Sequence, residues 1–358
     1  MNKNLYVVLM AGGVGTRFWP YSRNAKPKQF LDVLNTGKTL LQSTYERYLP
    51  MCLPENIWIV THQEHARLVA EQLPGIDAHQ VVAEPMRKNT APCIAYAANR
   101  ISQENKNAVM VVSPSDHLIL NETEFRSTIK KAVDHAKGQD KLITLGIKPT
   151  RPETGYGYIQ FLEGKSDLKK VKTFTEKPVL ALAKTFLESG DFVWNSGVFV
   201  WGVKAILNSF QTYLPELSEA FEEIRPKLGT PDEQAQVARI YAQTKSVSID
   251  YGVMEKADNV YLSLGKFAWS DLGSWASLHE ASKKDGENNV ISGEVLAYDI
   301  NNSVIKGSPG KLIVVQGLDG YLVGVFDNVV IVCEKEKEGL FRRFVNDLKS
   351  RPDGTEYL

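Results

Sequence analysis

A strand that runs straight into glycines constrains this chain most. Leu5–Ala11 is apolar and β-prone, and Gly12-Gly13-Val14-Gly15-Thr16-Arg17 follows at once. Glycines at 12, 13 and 15 let the backbone turn N–H groups inward as an anion nest. Arg17, and further on Lys26 and Lys28, can add charge toward phosphates. The bland reading of the same residues is a tight strand-to-helix turn with basic residues on its surface. Two other phosphate loops are excluded. The GxGxxG dinucleotide fingerprint needs a glycine where Phe18 stands, and a Walker A loop ending at Gly37-Lys38-Thr39 needs one where Asp32 stands.

The surrounding pattern fixes the class of fold. Strand-like runs at Leu5–Ala11, Ile57–Thr61, Gln80–Ala83, Ala108–Val112 and Leu142–Ile147 alternate with helix-like segments at Leu40–Leu49, Glu64–Leu73, Thr90–Ser102 and Glu122–Lys137. Such alternation predicts an α/β fold with a mainly parallel sheet covered on both faces. Ligands of such sheets bind beyond the carboxyl ends of the strands. From Tyr156 to about Leu278 the texture is mixed, with strand-like Tyr158–Leu162 and Gly197–Trp201 and helices around Leu180–Glu188 and Asp232–Gln243. This reads as the second half of the same domain with insertions. After Gly286 come short β runs at Val290–Ala297, Ser303–Ile305, Leu312–Val315, Tyr321–Val325 and Val329–Cys333, then a helix near Lys337–Lys349. Two domains are therefore expected, 1–286 and a small β module at 287–358, in line with about 150 residues per domain.

Composition narrows the partners. The 42 basic and 42 acidic residues cancel, so the basic excess of a nucleic-acid or membrane-surface binder is missing. Any anion must be held by a local cluster. Cys52, Cys93 and Cys333 are scattered without CxxC spacing, which argues against a zinc site or a disulfide framework. Leu5–Ala11 is too short for a membrane span and lacks the layout of a signal peptide. A cytoplasmic location is expected.

The residues also carry a family resemblance. Gly12 to Pro20, followed by Pro27-Lys28-Gln29-Phe30, resembles the signature of sugar-1-phosphate nucleotidyltransferases. Glu84-Pro85 with Arg87, Asn89, Thr90, Ala91 and Pro92 resembles the base-side loop of the mannose-1-phosphate guanylyltransferases, and Ser113-Pro114-Ser115-Asp116-His117 their metal-binding turn. Thr154-Gly155-Tyr156-Gly157-Tyr158-Ile159, Glu176-Lys177-Pro178 and Trp194-Asn195-Ser196-Gly197 are similar to their sugar-side segments, and Asp271 in Trp269–Trp275 completes the set. The resemblance spans roughly residues 5 to 280.

The resemblance implies a Rossmann-like nucleotidyltransferase domain that makes GDP-mannose and pyrophosphate from GTP and mannose-1-phosphate. Nucleotide contacts would come from Leu9, Ala11, Gly12, Gly13, Gly15, Thr16, Arg17, Lys28, Glu84, Asn89, Thr90 and Ser115. Sugar-phosphate contacts would come from Gly155, Tyr156, Glu176, Lys177, Asn195 and Gly197. Arg17, Lys28 and Asp116 would be catalytic, and Asp116 with Asp271 would hold Mg2+, which needs few protein oxygens. The phosphate nucleophile is already ionised, so no general base is required. Glu84 can accept from the guanine N1–H and N2–H2 edge, cap the helix near Thr90, or face solvent; backbone atoms around Leu9 to Gly12 can also read the base, and the sequence leaves these open. The aspartates have turn-capping as their plain alternative, and His117 a loop-orienting role. Relatives using glucose-1-phosphate with dTTP or UTP, and a non-catalytic regulatory subunit that binds nucleotide sugar, are the competing readings. Longer relatives add an isomerase domain of cupin type; the chain ends at Leu358, and no phosphomannose isomerase activity is expected. The β module is expected to serve homodimer contact.

Overall fold

The computed structural model describes residues 2–337 and 339–358. The chain packs as two units. The first takes the chain up to Gly12, Thr44–Ser115 and Ile119–Trp269; the second takes Gly13–Ser43, Asp116–Leu118 and Ser270–Leu358. This division departs from the boundary expected at residue 286. The second unit has its own apolar core, in which Phe18, Trp19, Leu31 and Trp275 pack with Val304, Leu322, Phe326 and Phe341. Segments far apart in sequence thus share one core with the β module, and no linker separates them.

The first unit is built on β1 (Leu5–Ala11), β2 (Ile57–His62), β3 (Val81–Glu84) and β4 (Val109–Pro114), then β6 (Leu142–Ile147), β7 (Gly157–Phe161), β8 (Leu168–Glu176), β9 (Phe192–Gly202) and β10 (Val260–Gly265). Two-residue strands, β5 (Leu118–Ile119) and β11 (Trp269–Ser270), lie outside this sheet. The order is β3-β2-β1-β4-β9-β6-β10-β8-β7. The pairings make β8 and β9 run against the other seven strands, so the sheet is mixed but mainly parallel. Strand order reverses beside β1, with β2 on one side and β4 on the other, and this is where an open α/β sheet leaves room at its carboxyl edge. Val7, Val8, Trp58, Ile59, Val60, Val111 and Val112 are buried, as strands covered on both faces require. The helix Thr90–Glu104 packs here through small residues, Ala91, Ala95, Ala97 and Ala98.

β8 escapes the sequence pattern except at its Glu176 end. Its residues Leu168-Lys169-Lys170-Val171-Lys172-Thr173 carry too many lysines for an apolar signature, and only Leu168 and Phe174 are buried.

The β module is a coil of parallel strands. β12 (Val290–Ser292), β14 (Val304–Gly307) and β16 (Tyr321–Phe326) stack in parallel, β17 (Val329–Glu334) returns antiparallel beside β16, and β13 (Glu294–Tyr298) pairs in parallel with β15 (Leu312–Gln316). The run expected as one strand, Val290–Ala297, is broken at Gly293. Its φ is +100°, and a Cβ there would lie 3.1 Å from the Gly307 carbonyl oxygen, so only glycine suits this corner between stacked turns. Ile300, Ile305, Ile313 and Val323 fill the coil. The closing helix spans Gly339–Lys349. Among the described residues, no helix is long and apolar enough to cross a membrane.

Candidate active site

The second unit holds the phosphate loop. Gly15 has φ +71°, and a Cβ on it would lie 2.7 Å from Lys28 Cβ, so glycine is needed both for the turn and for the approach of Lys28. Two loop carbonyls are tied back, Gly13 O by Gln29 Nε2 at 3.0 Å and Val14 O by the Ser22 hydroxyl. Among the described residues, no amide from Gly13 to Arg17 donates a hydrogen bond to the chain, and Arg17 makes neither a side-chain hydrogen bond nor an ion pair. A backbone with its carbonyls bound and its amides uncommitted suits an anion.

Lys28 is only 3% exposed. Its ammonium donates to Asp116 Oδ2 at 2.9 Å and to the Asp271 carbonyl oxygen at 2.7 Å, and stands 5.6 Å from the centroid of the Phe18 ring. Burial pushes the Asp116 carboxyl up, but the charges of Lys28 and His117 and the hydrogen bonds outweigh it, leaving the group below its ordinary value. His117 Nε2 lies 3.8 Å from the other carboxylate oxygen of Asp116. Asp271 Oδ1 accepts from Gly273 N at 2.8 Å, so it does cap a turn as its plain reading held, while its carbonyl joins it to Lys28. Among the described residues, no three His, Cys, Asp or Glu side chains form a metal-holding group. Two hard carboxylates fit a cation that takes its remaining ligands from water and phosphate, as magnesium does, and do not fit structural zinc.

The first unit holds the residues expected around the base. Glu84 ends β3 and is only 5% exposed. Tyr241, on the helix Glu233–Gln243, donates its hydroxyl to Glu84 Oε1 at 2.9 Å. A Cβ on Gly12 would lie 3.5 Å from Glu84 Oε2, so the second oxygen faces the start of the glycine loop. Burial pushes the Glu84 carboxyl up to about 7, against the opposing pull of the Tyr241 hydrogen bond and Arg87. The cap of the helix at Thr90 is Asn89, whose Oδ1 accepts from Thr90 N at 2.9 Å; Glu84 neither caps that helix nor faces solvent. Thr90 Oγ1 accepts from Ile249 N at 2.8 Å. Leu9 lies buried inside the ladder between β2 and β4, the Ala11 carbonyl accepts from Thr61 Oγ1, and the Ser115 hydroxyl is bound to Met10 O.

The residues expected around the sugar are also in the first unit. Asn195 Oδ1 accepts from Gly197 N at 3.1 Å and from Thr144 Oγ1 at 3.2 Å, which turns its amide nitrogen to Asp250 Oδ1 at 3.0 Å. Asp250 opens a π-helical turn, Asp250–Met254, and burial with the negative charge of Glu176 pushes its carboxyl up to about 7. Glu176 lies opposite Gly157 in register, and a Cβ on Gly157 would sit 2.5 Å from Glu176 Oε2. Lys177, at φ +48°, places its ammonium 2.5 Å from Glu176 Oε1. Gly155 N donates to Glu153 Oε1 at 2.9 Å, and the buried ring of Tyr156 packs edge-on against Trp194 and Trp269. Asp250 and Tyr241 were missed from the sequence because each sits in a stretch with no motif of its own. Gly157 lies in the same segment as Gly155, and the strand register, which the sequence does not show, is what sets it against Glu176.

The chain is similar to known proteins along most of its length. Residues 6–288 match the nucleotidyl transferase family. The xanthan biosynthesis protein XanB of Xanthomonas campestris pv. campestris is 37% identical over 350 residues, covering 96% of this chain and 73% of that protein. A mannose-1-phosphate guanylyltransferase of Escherichia coli is 35% identical over 347 residues, covering 92% of this chain and 74% of that one. A crystal structure from Thermus thermophilus, described as a mannose-1-phosphate geranyltransferase, superposes with a TM-score of 0.88 at 31% identity, covering 97% of this chain and 100% of that one.

Proposed function

This chain belongs to the nucleotidyl transferase family, and on that premise we propose that it transfers GMP from GTP to mannose-1-phosphate, giving GDP-mannose and pyrophosphate. The observation that carries the chemistry is the loop Gly13–Arg17 with its uncommitted amides, beside a buried lysine bound to a carboxylate. A sugar-phosphate oxygen attacks the α-phosphorus, one P–O bond forms, and the bond to the bridging oxygen of the leaving pyrophosphate breaks. The nucleophile is an anion at neutral pH, so the chain has no proton to remove. Its task is to hold two polyanions in line and offset their charge.

The amides of Gly13, Gly15 and Thr16 and the guanidinium of Arg17 bind the triphosphate. Lys28 supplies the buried positive charge for the α-phosphate and the departing pyrophosphate, and Asp116 keeps its ammonium in place. Glu84 accepts from the N1–H and N2–H2 of guanine. Glu176 accepts from sugar hydroxyls, with Asn195 beside it, and Lys177 meets the sugar phosphate. Members of this family generally use a divalent metal. Asp116 and Asp271 would hold Mg2+, whose charge lowers the repulsion between the two phosphates when it is bound.

A homodimer is part of the same reading. Leu296, Tyr298, Leu312 and Val314 are exposed on β13 and β15, and Leu296 stands opposite Val314 in register, giving an apolar strip that a second copy can cover. A cytoplasmic location, where GTP is supplied, belongs to the same reading. The test is pyrophosphate release over a grid of sugar-1-phosphates and nucleoside triphosphates. GTP with mannose-1-phosphate should dominate; preference for UTP or dTTP with glucose-1-phosphate overturns the proposal, and no release with any pair favours the regulatory reading.

A further inference from the structure

Tyr241 is fully buried, and among the described residues its hydroxyl makes one hydrogen bond, to Glu84 Oε1 at 2.9 Å. The terminal torsion of a glutamate is soft, so an unpartnered carboxylate would sample a range of planes. Here one oxygen is pinned from the helix Glu233–Gln243 and the other faces Gly12. We infer that Tyr241 is a positioning residue for base recognition: it fixes the plane of the Glu84 carboxylate and holds it as an acceptor for the paired N–H donors of guanine. The inference rests on the proposed reading of Glu84.

The electrostatic setting points the same way. Glu84 is faced by the Tyr241 hydroxyl, by the buried Cys93 thiol from the helix Thr90–Glu104, by Arg87 from the loop after β3, and by His62 opposite it in the β2–β3 register. Burial raises its proton affinity, and a protonated carboxyl offers one oxygen a hydrogen it should not have when it meets two donors. The Tyr241 hydrogen bond and the charge of Arg87 are the groups that favour the ionised form. Removing the Tyr241 hydroxyl therefore removes both the aim of the carboxylate and part of what keeps it ionised.

The experiment is the pH dependence of kcat and KM for GTP in the full chain, in the wild type, Tyr241→Phe and Glu84→Gln. In the wild type, KM for GTP should fall as pH rises through about 7. In Tyr241→Phe that limb should move up by about one pH unit, so KM for GTP near pH 7 rises roughly five- to tenfold and the difference closes by about pH 9. Its kcat at saturating GTP and KM for mannose-1-phosphate should change less than about twofold. A hydroxyl that only fills space would leave the limb where it is and shift KM equally at every pH, which overturns the inference. Glu84→Gln should abolish the limb and raise KM for GTP throughout. If Glu84→Gln instead keeps the GTP affinity and the GTP-over-ATP preference of the wild type, the reading of Glu84 itself fails. Should Tyr241→Phe not fold, 3-fluorotyrosine at position 241 gives a stronger donor of nearly the same shape. It should move the limb down, and an unmoved limb overturns the inference.

Discussion

Replacing Asp250 by asparagine should stabilise the ligand-free protein above neutral pH and leave its stability in acid nearly unchanged. Asp250 accepts from Asn195 at 3.0 Å, and burial with the charge of Glu176 pushes its carboxyl up to about 7. In the unfolded chain the group titrates near about 3.9. The native state therefore binds a proton that the unfolded state lacks between roughly pH 4 and 7, and stability declines as pH rises through that window. A gap of about three pKa units at about 1.4 kcal/mol each sets a ceiling near 4 kcal/mol, and water entry and relaxation reduce this to roughly 2. Asparagine keeps an oxygen for Asn195 and never ionises. With an unfolding entropy of about 2.1 cal/mol/K per residue, roughly 2 kcal/mol in a chain of this length is about 3 °C in Tm. Melting of both proteins would be followed by circular dichroism near pH 4.5 and pH 8. The variant should match the wild type in acid and exceed it by about 3 °C at the higher pH. In a Glu176→Gln background the gain should shrink, because the like charge that helps raise the Asp250 carboxyl is gone. Equal Tm differences at both pH values would refute the reasoning.

Further outcomes follow from single contacts. Asp116→Asn and Asp271→Asn should each cut turnover by orders of magnitude across a magnesium titration while Tm moves little; turnover within about threefold of wild type at limiting magnesium would exclude that residue as a ligand, since threefold is well under 1 kcal/mol of barrier. Gly157→Ala drives a Cβ to 2.5 Å from Glu176 Oε2, so KM for the sugar phosphate should rise about tenfold or more, with KM for GTP unchanged; an unchanged sugar KM would remove Glu176 from the site. Leu296→Glu with Val314→Glu places charges in the exposed strip of the β module and should give monomers by light scattering, whereas a dimer that survives must use another surface. This pair is a cleaner test than truncation near residue 285, because that cut would also strip Val304, Leu322 and Phe341 from the core they share with Phe18 and Trp275.

The sequence alone determined the parts that local pattern can express. Apolar runs of strand length punctuated by helical stretches placed β1 to β4 and β6 within a residue or two, because strands buried on both faces must be apolar throughout. The glycine loop, the Asp116 turn and the Glu176–Lys177 strand end stand out in the sequence as short segments, and the roles expected of them rest on the family resemblance of those segments. What stayed illegible depends on partners far along the chain. Glu84 could cap a helix or face water as far as the sequence goes; the fold gives the cap to Asn89, buries Glu84 and pairs it with Tyr241, 157 positions away. Lys28 became a buried partner of Asp116 across 88 positions, and Asp250 is joined to Asn195 by a hydrogen bond spanning 55. Gly157 outweighs Gly155 only because register sets it against Glu176. The β module looked like an irregular run of short strands, yet its strands stack in parallel and its core recruits Phe18, Trp19 and Trp275. A hydrogen bond or a shared core is a property of two segments at once; the periodicity of either one says that it will be buried, and only the folded chain decides against what.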